Sequence, residues 1–294
     1  MNLARFATAW RSSEAASAQP KPHASCAAIM ARLLLWASRG DIQGKTSVTE
    51  PAMPTHDDWR TLKLRSEALP ESTRRALAEH WTRAARLEHV SVATFGYFSL
   101  QLLAVGAPPS LIEDAHRAAL DEIKHAELCF SLATTYAGHA IGPRPLAIDE
   151  RALIGCALQS VAVDTVEKGC VQETIAALEA EAAAALAHDD AVRAVQLRIC
   201  DDESRHAELA WRFVRWAAQT GGAPVRAALR AAFQRALERL ERVASDESLP
   251  EHRLEAHGIL SEHGKQTVRA EVMNEVIRPI LAELSEHPGS RFHS

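Results

Sequence analysis

The octet Asp121-Glu122-Ile123-Lys124-His125-Ala126-Glu127-Leu128 returns later in the chain as Asp202-Glu203-Ser204-Arg205-His206-Ala207-Glu208-Leu209. Both copies read Asp-Glu-x-x-His-Ala-Glu-Leu, and both lie in runs whose apolar residues recur at helical spacing. Residues three apart on a helix differ by about 60° in azimuth and one turn in height, so the Glu and His of one octet can grip one ion. The stripe around Glu122 and His125 holds Leu111, Ala115, Ala118, Cys129 and Leu132. Around Glu203 and His206 it holds Ile199, Ala210, Phe213 and Ala217. The opposite stripes carry Arg117, Lys124 and Glu127 in one helix and Arg198, Arg205 and Arg212 in the other. Four polar residues thus face the apolar side, which is costly unless something satisfies them. Glu113-x-x-His116 has the same spacing but lies about 180° around the helix from Glu122, so it is expected in solvent.

The flanking sequence extends these octets into four long helices. The first runs from about Ser72 to Val105 and stops at Gly106, ahead of Ala107-Pro108-Pro109. The second starts with Ser110 as its N-cap and ends near Gly138. A long connection, Gly138 to Asp149, precedes a third helix from about Ala152 to His188 with an expected interruption near Gly169. Asp189 or Asp190 caps the fourth, which reaches Thr220, and two more follow near Val225–Asp246 and Ser261–Ser285. Short links within each pair and a long one between pairs predict an all-α four-helix bundle of two hairpins with a crossover. Glu88 in the first helix and Glu173 in the third each stand some 30 residues before their partner octet. Glu88 has Glu79, His80 and His89 as neighbours, and Glu173 has Glu167 and Glu179 as rivals.

Composition agrees with helices. Of 294 residues 47% are apolar but only 5% aromatic, and alanine and leucine supply most of the apolar share. A net charge of −5 offers no basic surface for nucleic acid. No apolar run is long enough to span a membrane, and Ala27–Ala37 is short and broken by Arg32, which spoils it as a signal-peptide core. The five cysteines form no Cys-x-x-Cys pair, which argues against a disulfide framework, a zinc knuckle or a thiolate iron site and favours a cytoplasmic setting. Three regions are expected: an N-terminal extension over 1–70, disordered or loosely packed, with Met53 as an alternative start; the bundle over 71–221; and additional helices over 222–294 packing on it. Cys129, Cys170, Cys200 and Tyr136 read as packing residues, and the late histidines (His252, His257, His263, His287, His293) as exposed.

The charges of the set also close. Glu88, Glu122, Glu173 and Glu203 with neutral His125 and His206 balance two divalent cations, whereas four converging carboxylates alone would repel. Oxygen-rich ligands with one imidazole per ion suit iron or manganese better than zinc or copper(I). Residues 72–220 resemble the ferritin-like di-iron carboxylate superfamily, which includes bacterioferritin, rubrerythrin, ribonucleotide reductase small subunits and bacterial di-iron monooxygenases. The resemblance implies Glu88 and Glu173 as single-helix carboxylates and Glu122–His125 and Glu203–His206 as the paired ligands. It implies two iron ions, Fe2+/Fe3+, as cofactor, with manganese as the other candidate at one or both sites. Which carboxylates bridge is left open, because members of the superfamily differ. The implied activity is a di-iron oxidoreductase that uses dioxygen on a small organic substrate, with an external electron donor. The alternatives are a ferroxidase or iron-handling protein, a rubrerythrin-like peroxide reductase, and a metal-stabilised bundle without catalysis. No nucleic-acid or membrane partner is expected, and a homodimer is. The small residues Gly169, Cys170, Ala177, Ala180 and Ala184 of the third helix allow two readings, a pocket beside the ions or close helix packing.

Overall fold

Alanine at the contact positions of the long helices lets their backbones approach closely, and the result is a bundle. The computed structural model describes residues 59, 69–146, 156–244 and 252–286, and among these there is no strand. The expected extension over 1–70 apart from residues 59, 69 and 70, with Cys26 and Met53 in it, the start of the third helix at Ala152, and His287 and His293 lie outside the described residues.

Helix α1 (Glu71–Ala104) and α2 (Pro109–Ala137) form the first hairpin. The third helix consists of α3 (Leu158–Thr165), a π-helical turn (Val166–Val171) and α4 (Gln172–Leu186). It pairs with α5 (Asp190–Thr220). The expected interruption near Gly169 is therefore a widened turn that keeps the helix running. Within it the chain runs close to α5 at Gly169, where a methyl group would stand 2.5 Å from the Ala210 Cβ. Gly169 thus takes the close-packing reading of the small-residue stripe.

Two ends differ from expectation. Ser110 does not cap α2; Pro108 holds that position and Pro109 opens the helix, since proline supplies a fixed φ and gives up only an N–H that has no helical partner there. Asp189 does cap α5, its carboxylate accepting from the N–H groups of Ala191 and Val192. At the far end of α2, Gly138 takes the left-handed conformation, φ 74°, and its N–H donates to the Thr134 carbonyl.

The C-terminal helices pack on the second hairpin. Helix α6 (Gly222–Ala244) lies against α3 and α5, α7 (Glu262–Val272) against α4, and α8 (Arg278–Glu286) against α6. Ser261 caps α7 through a bond from the Gly264 N–H. His263 is exposed as expected; His257 is half-buried, because the turn His252–His257 folds back onto α4.

The apolar interior has two parts. One is built on Phe95, Leu102, Ala118, Trp211, Phe213 and Phe233, the other on Leu77, Trp81, Phe130, Cys129, Val195 and Ile199. Helices α1, α2 and α5 pass from one part to the other where Glu88, Glu122–His125 and Glu203–His206 fall, so a polar belt separates two cores.

Candidate metal centre

That belt is sealed. Glu122, His125 and Glu203 are fully buried, Glu173 and His206 nearly so, and Glu88 is 4% exposed. Their common burial follows from phase: each sits on the stripe that carries the core residues of its helix. Glu113 and His116, half a turn away, are exposed. Of the rivals in the third helix, Glu167 pairs with Arg239 and Glu179 faces Arg269 at 3.7 Å, so neither turns into the belt.

The geometry is paired. Glu203 places Oε1 at 3.0 Å from His125 Nδ1 and Oε2 at 2.9 Å from His206 Nδ1. Glu122 does the same with Oε2 at 3.6 Å from His125 Nδ1 and Oε1 at 3.3 Å from His206 Nδ1. Each of these carboxylates therefore spans both imidazoles. Glu88 Oε2 approaches His125 Nδ1 at 4.0 Å from the outside. One donor set, Glu88, Glu122, His125 and Glu203, has its ligand atoms within 4.8 Å of one another, and a second set, Glu173, Glu203 and His206, does likewise.

Behind the imidazoles stand two aspartates that the sequence reading left without a role. His125 Nε2 donates to Asp202 Oδ2 at 3.1 Å, and His206 Nε2 lies 3.5 Å from Asp121 Oδ2. The aspartate of each octet thus serves the histidine of the other. Arg205 pairs with both aspartates and Arg198 reaches both as well. Arg198, Arg205 and Arg212, on the stripe opposite the ligands, stay partly exposed and flank the α2–α5 seam, Arg212 closing on Asp114 at 2.6 Å. The signal was present, because the duplicated unit begins with the aspartate. Its partner lies on another helix, however, and one helix considered alone gives it none.

In the absence of an ion, protons have to compensate this cluster. Burial, and then the charge of Glu122, push the Glu88 carboxyl well above the usual carboxylate range. Burial and the charge of Glu203 do the same to Glu173. Burial opposes charge on His125 and His206, yet the carboxylates around them lift both well above the ordinary histidine value. Burial also opposes charge on Glu203, but the two imidazoles it touches hold it below its usual value. With Nε2 of each ring turned to an aspartate, Nδ1 faces carboxylate oxygens, which it meets without a cation only by carrying a proton; the same Nδ1 would offer its lone pair to an ion. Glu88 Oε2 and both oxygens of Glu173 are buried with no hydrogen-bond partner. Such an atom in a folded protein calls for an explanation, and a bound ion is one that fits here. The cluster could therefore hold a metal ion, and its donor set is one that iron or manganese accepts.

The thiols nearby are inert by the same burial. Cys129 and Cys170 are fully buried and their thiols are pushed well up, as is that of Cys200. Among the described residues no helix is long and apolar enough to cross a membrane. In comparisons with known proteins, the chain has no significant match to a family model, a curated protein or a solved structure.

Proposed function

We propose that the protein is a ferritin-like four-helix-bundle oxidoreductase that holds two iron ions and uses dioxygen to oxidise a small organic substrate, drawing electrons from an external donor. The observation that carries this reading is the span of Glu122 and Glu203 across both imidazoles, flanked by Glu88 and by Glu173 with unpartnered oxygens. A single structural ion needs neither two shared carboxylates nor six ligands. Two adjacent reduced irons supply the electrons and the Lewis acidity that dioxygen chemistry requires.

The chain's own groups have distinct tasks in this reading. Glu122 and Glu203, which reach both imidazoles, would help to hold both ions, and Glu88 and Glu173 would each hold one. Asp202 and Asp121 fix the tautomer and aim of the imidazoles, leaving Nδ1 to the ion. Phe95, whose ring lies 4.8 Å from that of His206, and the two apolar cores keep water from the centre. The π-helical turn directly before Glu173 favours a reactive role over a storage role, since such turns concentrate at functional sites.

The test is metal content, followed by oxygen. Loaded anaerobically with ferrous iron, the full chain is expected to keep two irons, and Glu122→Ala or His206→Ala to lose most of them. Unchanged metal in both variants removes the site. On adding oxygen, the loaded protein is expected to consume it without forming mineral; uptake of many irons per chain with mineral growth would replace oxidation by iron storage.

A further inference from the structure

The outward groove between α1 and α2 changes character along its length. Trp59 sits in it, its ring 5.3 Å from that of His89 on α1 and 6.2 Å from that of Phe130 on α2. Those two contacts define the line of the groove on each helix. On α1 the line continues from His89 through Gly96, Leu100 and Leu103, at steps of seven, four and three residues. On α2 it continues from Phe130 through Ile123 and Ala119, with Leu120 at its rim.

Beyond Trp59 this groove is apolar and open. Leu100, Leu103 and Leu120 are 48%, 57% and 63% exposed. From Val90 to Val105 helix α1 carries no charged residue. A methyl group on Gly96 would meet no atom within 4 Å, so nothing in the described structure requires a glycine there. Glycine inside a helix is less favourable than alanine, and its usual justification is the close approach of another backbone. Apolar surface of this kind marks a place where something packs.

The path of the chain points to what packs there. Trp59 lies beside His89, eighteen residues along α1 from Glu71, which is about 27 Å at 1.5 Å per residue. Trp59 thus stands well along the hairpin from the start of α1, and the twenty-two-residue step from Ala37 to Trp59 is long enough to reach Gly96, Leu100 and Leu103. Upstream stands Ala27-Ala28-Ile29-Met30-Ala31-Arg32-Leu33-Leu34-Leu35-Trp36-Ala37, an apolar run with one charge. We propose that this segment, Ala27–Ala37, docks in the α1–α2 groove over Gly96, Leu100 and Leu120 of its own chain. The tether through Trp59 makes the encounter intramolecular, which favours it over a second copy at ordinary concentrations. In the sequence reading the same run was too short and too broken to direct secretion; as a cover for the groove its length and its single arginine are suitable.

Photo-cross-linking in the full chain tests this. With p-benzoylphenylalanine in place of Leu100, and in a second protein in place of Leu120, irradiation is expected to give a product of single-chain mass. Peptide mapping should join the probe to residues 27–37, and Leu34→Asp with Leu35→Asp should remove most of that product. Using two probe positions covers the failure of either variant to fold. A product of twice the chain mass, a join to any other segment, or no join from either position overturns the proposal.

Discussion

Each imidazole of the cluster is held from behind by an aspartate that its own helix does not supply, and this exchange ties α2 to α5 at the candidate metal centre. Asp202 is the stronger case: burial opposes its charge, but His125 and then Arg198 bring its carboxyl down to about 2. Asp202→Ala leaves all six proposed ligands in place and is expected to lower iron affinity roughly 10–100-fold, read by chelator competition. Lys124→Ala, on the solvent side of the same octet family, is expected to leave it unchanged; equal effects of the two would sink the positioning role. Glu179 gives a second prediction away from the ligands. Burial raises its carboxyl to about 7, against the pull of Arg269 and Lys265. The folded chain therefore holds this proton more tightly than the unfolded chain, so the contribution is complete below about pH 4.5 and is lost as pH rises through 7. Glu179→Gln mimics the protonated form. It is expected to match the parent near pH 5 and to be the more stable by on the order of 3 kcal/mol at pH 8. Urea denaturation at both values checks this, and an equal difference at the two pH values would refute it. Glu122, His125, Glu203 and His206 were legible because burial on a helix is a matter of phase, which the sequence contains; Glu88 and Glu173 were singled out only by their place ahead of the octets and by resemblance. The aspartates were not, because their partners belong to another helix.

At the scale of elements, the two hairpins could be read from apolar periodicity and from the glycines and prolines between them. The exchange of Ser110 for Pro108 at the start of α2 shows where such reading fails. Serine is the better capping side chain, but two successive prolines fix the backbone two residues earlier. The π-helical turn was legible only as a weakness near Gly169, since a shift in hydrogen-bond register has no residue signature of its own. Within it, Gly169 lies so close to α5 that an added Cβ would sit 2.5 Å from Ala210 Cβ and 3.3 Å from Thr165 Cγ2. Helix propensity alone says that Gly169→Ala stabilises, by about 1 kcal/mol. The clash says the reverse, since overpacking costs about 1–3 kcal/mol. Net destabilisation in urea is expected; a stabilised variant would mean that α4 and α5 part easily, and would reopen the pocket reading of the small-residue stripe.

For the whole molecule, the question is what joins the two hairpins through a polar belt that interrupts their common core. Four carboxylates from α1, α2, α4 and α5 meet there, and they repel unless protons or cations intervene. Cations bound only by the folded chain add to its stability, by about 2.7 kcal/mol at a hundredfold excess over Kd. In a chain of this size each kcal/mol moves the melting temperature by about 2–4 °C. Chelation of the iron-loaded protein at pH 7 is therefore expected to lower Tm by about 5–10 °C, as read by circular dichroism at fixed protein concentration. The variants Glu122→Ala and His206→Ala should melt at the same temperature with and without chelator, because they hold little metal to lose. A Tm that rises on chelation would indicate that the ions strain the belt, as in a centre kept open for chemistry at the expense of the fold. An unchanged Tm in the parent would show that α1–α2 and α4–α5 are joined by their apolar cores alone. Four buried carboxylates would then need some other source of compensation, and the case for metal would rest on binding measurements only.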